Sequence, residues 1–261
     1  MEKLSGDREG MVLLRLNRPA AKNAMSRNFL KFFTEAIDHL KHDKAARLVI
    51  IKSDVKDIFC AGADLKERLT MPQSDVPLFV SGVRRLVSDL ETLPQPVIAA
   101  LDGAALGGGL ELALACDLRV AAANAKLGLV ETKLAIIPGA GGTQRLSRIV
   151  GPAIAKELIF TGRIITGADA FKIGLVNHAV EQNDSGDAAF QKSLELGDEI
   201  IQRGPIAIRV AKIAIGRGIE TDLATGLEIE KLCYDQVIPS KDRVEGLRAF
   251  NEKRKPEYKG E

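Results

Sequence analysis

The chain reads as an α/β protein whose final third turns helical, and three observations carry that reading. Short, almost wholly apolar runs recur at Met11 to Leu16 (MVLLRL), Leu48 to Ile51 and Val97 to Leu101, the length and texture of strands buried on both faces. Stripes with a period near 3.6 residues lie between them, clearest in Val76, Phe79, Val80, Val83, Leu86, Val87 and Leu90. Past about Gly151 helical segments follow one another.

Taken in order, Met11 to Leu16 is a strand closed by Asn17, Arg18 and Pro19. Ser26 is an N-cap type, and Leu30, Phe33, Ile37 and Leu40 extend a helix to about His42. Leu48 to Ile51 is the next strand, followed by a turn-rich stretch, Lys56 to Asp64. The helix from Val76 to Leu90 is broken by Pro94 and Pro96. Val97 to Leu101 is a strand, Gly103 to Gly109 a glycine turn, Leu110 to Cys116 a helix and Leu118 to Ala122 a strand. Helices are expected over Ala153 to Phe160, Asp187 to Gln202, Pro205 to Ile215, Leu223 to Val237 and Lys241 to Phe250. The polar stretch Glu181 to Asp187 marks the best boundary.

Bulk properties narrow the function. The 261 residues carry 37 basic and 35 acidic side chains, a net charge of +2, so no global field draws the chain to nucleic acid or acidic lipid. No apolar run approaches the roughly 18 residues of a membrane span. The opening MEKLSGDREG has no apolar h-region and is not Arg- and Ser-rich, so it reads as neither a secretory signal nor a transit peptide. Three scattered cysteines without a CxxC predict free thiols in a reducing compartment.

Two glutamates stand out, twenty positions apart (131 − 111 = 20) and each beside glycines. Glu111 interrupts the apolar run Leu110 to Cys116, and Glu131 sits between Gly128 and Gly139. A buried carboxylate is costly unless hydrogen-bonded or paired, so two in apolar segments point to acid–base chemistry. Gly107, Gly108 and Gly109 precede a helix and expose backbone N–H groups at its positive end, a place for developing negative charge. Gly109 stands where a phosphate loop needs lysine, and PGAGG at Pro138 to Gly142 is a flexible turn without a nucleotide fingerprint. FCAGADLK, Phe59 to Lys66, offers small residues for close approach to the main chain, with Asp64 as an N-cap. Cys60 has no triad-like partner and reads as a small buried hydrophobe. His39 and His42 have metal-ligand spacing but sit on a charged, solvated face, so no metal is expected. The mixed charges between Lys31 and Lys52 read the same way.

Together, FCAGADLKER, GAALGGGLELALACDLRVAA, GLVETKLAIIPGAGGTQRL and the terminal FNEKRKPEYKGE resemble the crotonase (enoyl-CoA hydratase/isomerase) superfamily over essentially the whole chain. HAVEQNDSGDAAF and LEIEKLCYDQVIPSKDRVEGL resemble its mitochondrial AU-binding and hydratase-domain branch. The resemblance implies a ββα spiral core over 1–190 and a helical C-terminal region over 191–261 that makes trimers, often paired into hexamers. It implies an acyl-CoA thioester substrate that brings its own CoA, with no separate cofactor. Glu111 and Glu131 would be the catalytic carboxylates, and the amides of Ala63 and Gly108 the oxyanion hole. Ala63, Asp64, Leu65 and Lys66 would line the acyl-CoA path, with Lys22, Lys66 and the Lys253 to Lys255 cluster facing the CoA phosphates. The presence of both glutamates favours hydration over isomerisation, and the substrate stays open between a short straight enoyl-CoA and 3-methylglutaconyl-CoA. RNA is the alternative partner, through Asn28 to Arg47, although that segment is poorer in lysine than the RNA-binding relative's helix. The branch also implies a mitochondrial matrix setting.

Overall fold

The computed structural model describes residues 1–261 and repeats one unit: a strand, a short second strand, then helix. β1 (Glu2–Lys3) and β2 (Met11–Leu16) lead into α1 (Arg27–His42). The first full unit is β3 (Leu48–Ser53), β4 (Ile58–Cys60), α2 (Leu65–Thr70) and α3 (Val76–Glu91). The second is β5 (Val97–Leu101), β6 (Ala104–Leu106) and α4 (Gly108–Leu114). The third is β7 (Leu118–Ala122), β8 (Lys126–Gly128), a 3-10 turn at Glu131–Leu134, α5 (Gly142–Val150) and α6 (Pro152–Thr161). β9 (Ile165–Thr166), α7 (Gly167–Lys172) and β10 (His178–Val180) close the spiral. Four helices follow: α8 (Ala188–Ile200), α9 (Pro205–Gly218), α10 (Leu223–Val237) and α11 (Lys241–Glu252).

The first strands of the units form one sheet, in the order β1-β2-β3-β5-β7-β10, and the short second strands form another, β4-β6-β8-β9. Pairing is parallel except at β1–β2 and β8–β9. Alternation along the large sheet splits its side chains between two cores. Leu14, Val49, Ile51, Ala99 and Ala121 face the main core with α1 and α3. Leu13, Leu48, Ile50, Ile98 and Val120 face Ala189 and Leu194 of α8. Both faces are covered, which is why these strands read as continuous apolar runs.

Local chemistry sets the helix starts. Ser26 Oγ accepts from the Phe29 amide and opens α1, which buries Phe33, Ile37 and Leu40. Asp64 does the same for α2 through the Glu67 amide. Three differences from the expected elements bear on the site. β4 and β6 occupy stretches that read as turns, because strands of only three residues are too short to show a period-2 signal. α4 begins at Gly108, two residues before the expected Leu110, so the glycines form its first turn. α5 starts at Gly142, directly after the glycine turn. The expected boundary at residue 190 falls inside α8, which packs on the large sheet.

The last three helices are built differently. α9 and α10 bury one residue each, Val210 and Cys233, and leave Ile215, Ile219, Leu223 and Leu232 exposed.

Candidate active site

The site gathers around the first turn of α4. Gly107 precedes it with φ 52 and ψ −126, a backbone shape that a side chain would strain. Gly109 is fixed by contact: a Cβ there would stand 2.1 Å from the Cys60 carbonyl oxygen, so β4 can lie against the helix only because no side chain exists. That close approach brings Ala63 to Gly108. The Ala63 nitrogen is 3.7 Å from where a Gly108 Cβ would stand, and the Gly108 nitrogen is 3.2 Å from the equivalent point on Gly62. The Ala63 amide donates to no group in the chain, whereas its neighbours Asp64 and Met25 donate to Met25 O and Gly62 O. Gly108, the first residue of α4, has an amide with no helical acceptor.

Glu111 lies in the first turn of α4, 3 % exposed. Its Oε1 accepts from the Ala140 amide at 2.8 Å and the Gly142 amide at 2.7 Å. Gly142 opens α5, so this carboxylate sits at a helix N-terminus, where partial positive charge favours an anion. Burial nevertheless raises its pKa above the ordinary carboxylate range, while the two amides and the charges of Arg145 and Arg84 pull it back.

Glu131 comes up to the residue before α4 from a separate segment. It opens the 3-10 turn, is 9 % exposed, and holds Oε1 3.2 Å from where a Gly107 Cβ would stand. Its Oε2 is buried without a hydrogen-bond partner. Burial, with a smaller contribution from the neighbouring charge of Glu111, pushes its pKa up to about 7. The charge of Glu111 is thus felt at Glu131.

The other expected residues divide. Lys22 is exposed, with its carbonyl accepting from the Ala61 amide, which ties it to the loop before Ala63. Leu65 and Lys66 are exposed at the start of α2. Asp64 is engaged structurally, capping α2 and pairing with Arg18 at 2.9 Å. In the terminal cluster Arg254 is paired with Glu245 and Glu252, leaving Lys253 and Lys255 as its exposed cations. Cys60 is fully buried, and burial pushes its thiol up to about 12. Two surface cavities lie apart from the glutamates. One of about 400 Å³ is beside Arg27 and Met71, and one of about 1040 Å³ is beside Arg47 and Arg209.

Sequence reasoning missed the amides of Ala140 and Gly142 and the two arginines behind them. Arg84 donates to Gly139 O, and Arg145 donates to Ala140 O. The glycine cluster PGAGG was the available signal for the amides, since glycines free the backbone for contact. The arginines gave none, because on a helical stripe they read as solvated.

Comparison with known proteins adds an independent line. The enoyl-CoA hydratase/isomerase family profile matches residues 6–261. The chain is 58% identical to human methylglutaconyl-CoA hydratase, mitochondrial, over 99% of this chain and 76% of that protein. It is 52% identical to the probable enoyl-CoA hydratase 2, mitochondrial, of Arabidopsis thaliana, over 100% of this chain and 85% of that one. The crystal structure of enoyl-CoA hydratase from Bacillus anthracis superposes with a TM-score of 0.93 at 49% identity, covering 97% of this chain and 96% of that one.

Proposed function

Because the chain belongs to the enoyl-CoA hydratase/isomerase family and is a hydratase, we propose that Glu111 and Glu131 add water across the 2,3 double bond of a 2-enoyl-CoA. One observation supports this above the others: both buried carboxylates and the amides of Ala63 and Gly108 converge on one helix terminus.

The chemistry follows from that arrangement. The thioester oxygen accepts from the Ala63 and Gly108 amides. Water attacks Cβ, the π electrons move toward the thioester, and the enolate charge collects on that oxygen. Fixed amides stabilise it without reorganising, and losing one such donor costs about 2.7–4 kcal/mol. Glu111, held at Oε1 by two amides, is the carboxylate better kept ionised, and it takes the proton of the attacking water. Glu131, with its pKa raised to about 7, carries a proton over much of the neutral range and delivers it to Cα. The water loses one proton to Glu111, Cα gains one from Glu131, and proton exchange between the two restores the site.

The relatives named for methylglutaconyl-CoA favour a branched dicarboxylic substrate over a short straight one. Their names, and that of the Arabidopsis protein, also support a mitochondrial setting. The exposed apolar side chains of α9 and α10 suit burial against further copies of the chain, as in a trimer or hexamer. The α1 surface is less suited to RNA: Lys41 is paired with Asp38 and Asp89, and Lys31 lies over the Phe32 ring. Straight and branched 2-enoyl-CoA esters, followed by loss of the conjugated thioester absorbance, test the reading. Turnover of at least one ester is expected; binding of the esters without absorbance loss for any of them would refute it.

A further inference from the structure

We propose that Arg84 selects an enoyl-CoA bearing a second carboxylate at the far end of its acyl chain. The assignment rests on the hydratase reading above and adds a residue for substrate choice. Arg84 stands on α3 and donates Nε at 3.2 Å and Nη2 at 3.0 Å to the Gly139 carbonyl. That carbonyl belongs to the stretch whose next amides, Ala140 and Gly142, hold Glu111. The guanidinium is thereby fixed near the catalytic carboxylate, and its charge is felt there, lowering the Glu111 pKa against burial.

Arg145 acts on Glu111 in the same sense, but its charge is met by Glu91 at 2.7 Å and 3.1 Å. Arg84 has no carboxylate partner, and its bonds to Gly139 leave Nη1 unengaged. Arg68, another arginine without an acidic partner, lies over the Phe79 ring at 5.3 Å.

A dicarboxylic enoyl chain needs such a cation. Its far carboxyl carbon stands only two carbon–carbon bonds, of about 1.5 Å each, beyond Cβ. Cβ must meet the water held by the glutamates, so the extra charge arrives close to Glu111 and would be repelled. A guanidinium fork offset from Glu111 compensates that charge and matches carboxylate geometry. A straight monocarboxylic chain gains nothing from it.

The test compares kcat/KM for 3-methylglutaconyl-CoA and but-2-enoyl-CoA in the full chain and in Arg84→Gln and Arg84→Lys. Glutamine keeps a donor for the Gly139 carbonyl while removing the charge. The native protein is expected to prefer the dicarboxylic ester. Arg84→Gln should cut that preference about 10–100-fold, the size of one hydrogen bond to a charged group, chiefly through KM. Arg84→Lys should restore part of it. Equal losses on both esters would reduce Arg84 to a prop for the Gly139 loop and overturn the proposal, as would a native preference for but-2-enoyl-CoA. Failure of the native protein to hydrate either ester would remove the hydratase reading and this assignment with it.

Discussion

Glu111 and Glu131 are the same residue in two differently built surroundings. Glu111 projects from a helix into the amides of a following loop, with two N–H donors on one oxygen and two arginines behind. Glu131 stands at the head of a 3-10 turn, and its Oε2 has no partner. Both are buried, so desolvation raises both; only Glu111 has its anion strongly supported. The contrast teaches that paired carboxylates are differentiated by what donates to them and not by their own identity.

The largest effect should come from removing either member. Glu111→Gln and Glu131→Gln should each lower kcat by about 10²–10⁴-fold while acyl-CoA binding, read by calorimetry, persists. Near-native turnover in either variant would break the two-carboxylate account. A smaller loss, at most about 10²-fold, is expected for Gly142→Ala, whose Cβ would press to 2.9 Å from Glu111 Oε1 and displace the held carboxylate. Unchanged kcat there would mean that the amide clamp on Glu111 is catalytically idle.

The pH dependence sharpens the contrast. If Glu131 is the proton donor, kcat/KM for hydration should fall as pH rises through about 7. A rate that climbs through that range would exchange the two roles. Stability gives the mildest readout, and its sign is fixed by the raised pKa. The Glu131 contribution is fully present below its ordinary 4.5 and is lost as pH rises toward about 7. Across that window Tm of Glu131→Gln should therefore gain on the native protein. A constant difference in Tm would show that burial of this carboxylate has no energetic weight.

Much of the frame was legible in one dimension. The strands Met11–Leu16, Val97–Leu101 and Leu118–Ala122 appear where their apolar runs predict them, and α1 starts from Ser26. The short strands β4 and β6 were not legible, because each is only three residues long and is held by ladder partners distant in sequence. Within the site, Glu111, Glu131 and the Gly107 to Gly109 turn drew notice through residue type and glycine context, while the Ala63 and Gly108 amides were expected only from the family resemblance. The amides of Ala140 and Gly142 did not, since any residue carries a backbone N–H and only folding aims it.

The sequence by itself determined which segments could be buried, where helices could begin and which acids would be costly to cover, because periodicity, capping chemistry and desolvation act locally. The tertiary structure alone decided that residues 63, 108, 111, 131 and 142 meet. It did so because a Cβ-free contact between Gly109 and Cys60 lets two backbones close on one another, and proximity across such a contact leaves no mark on the order of residues.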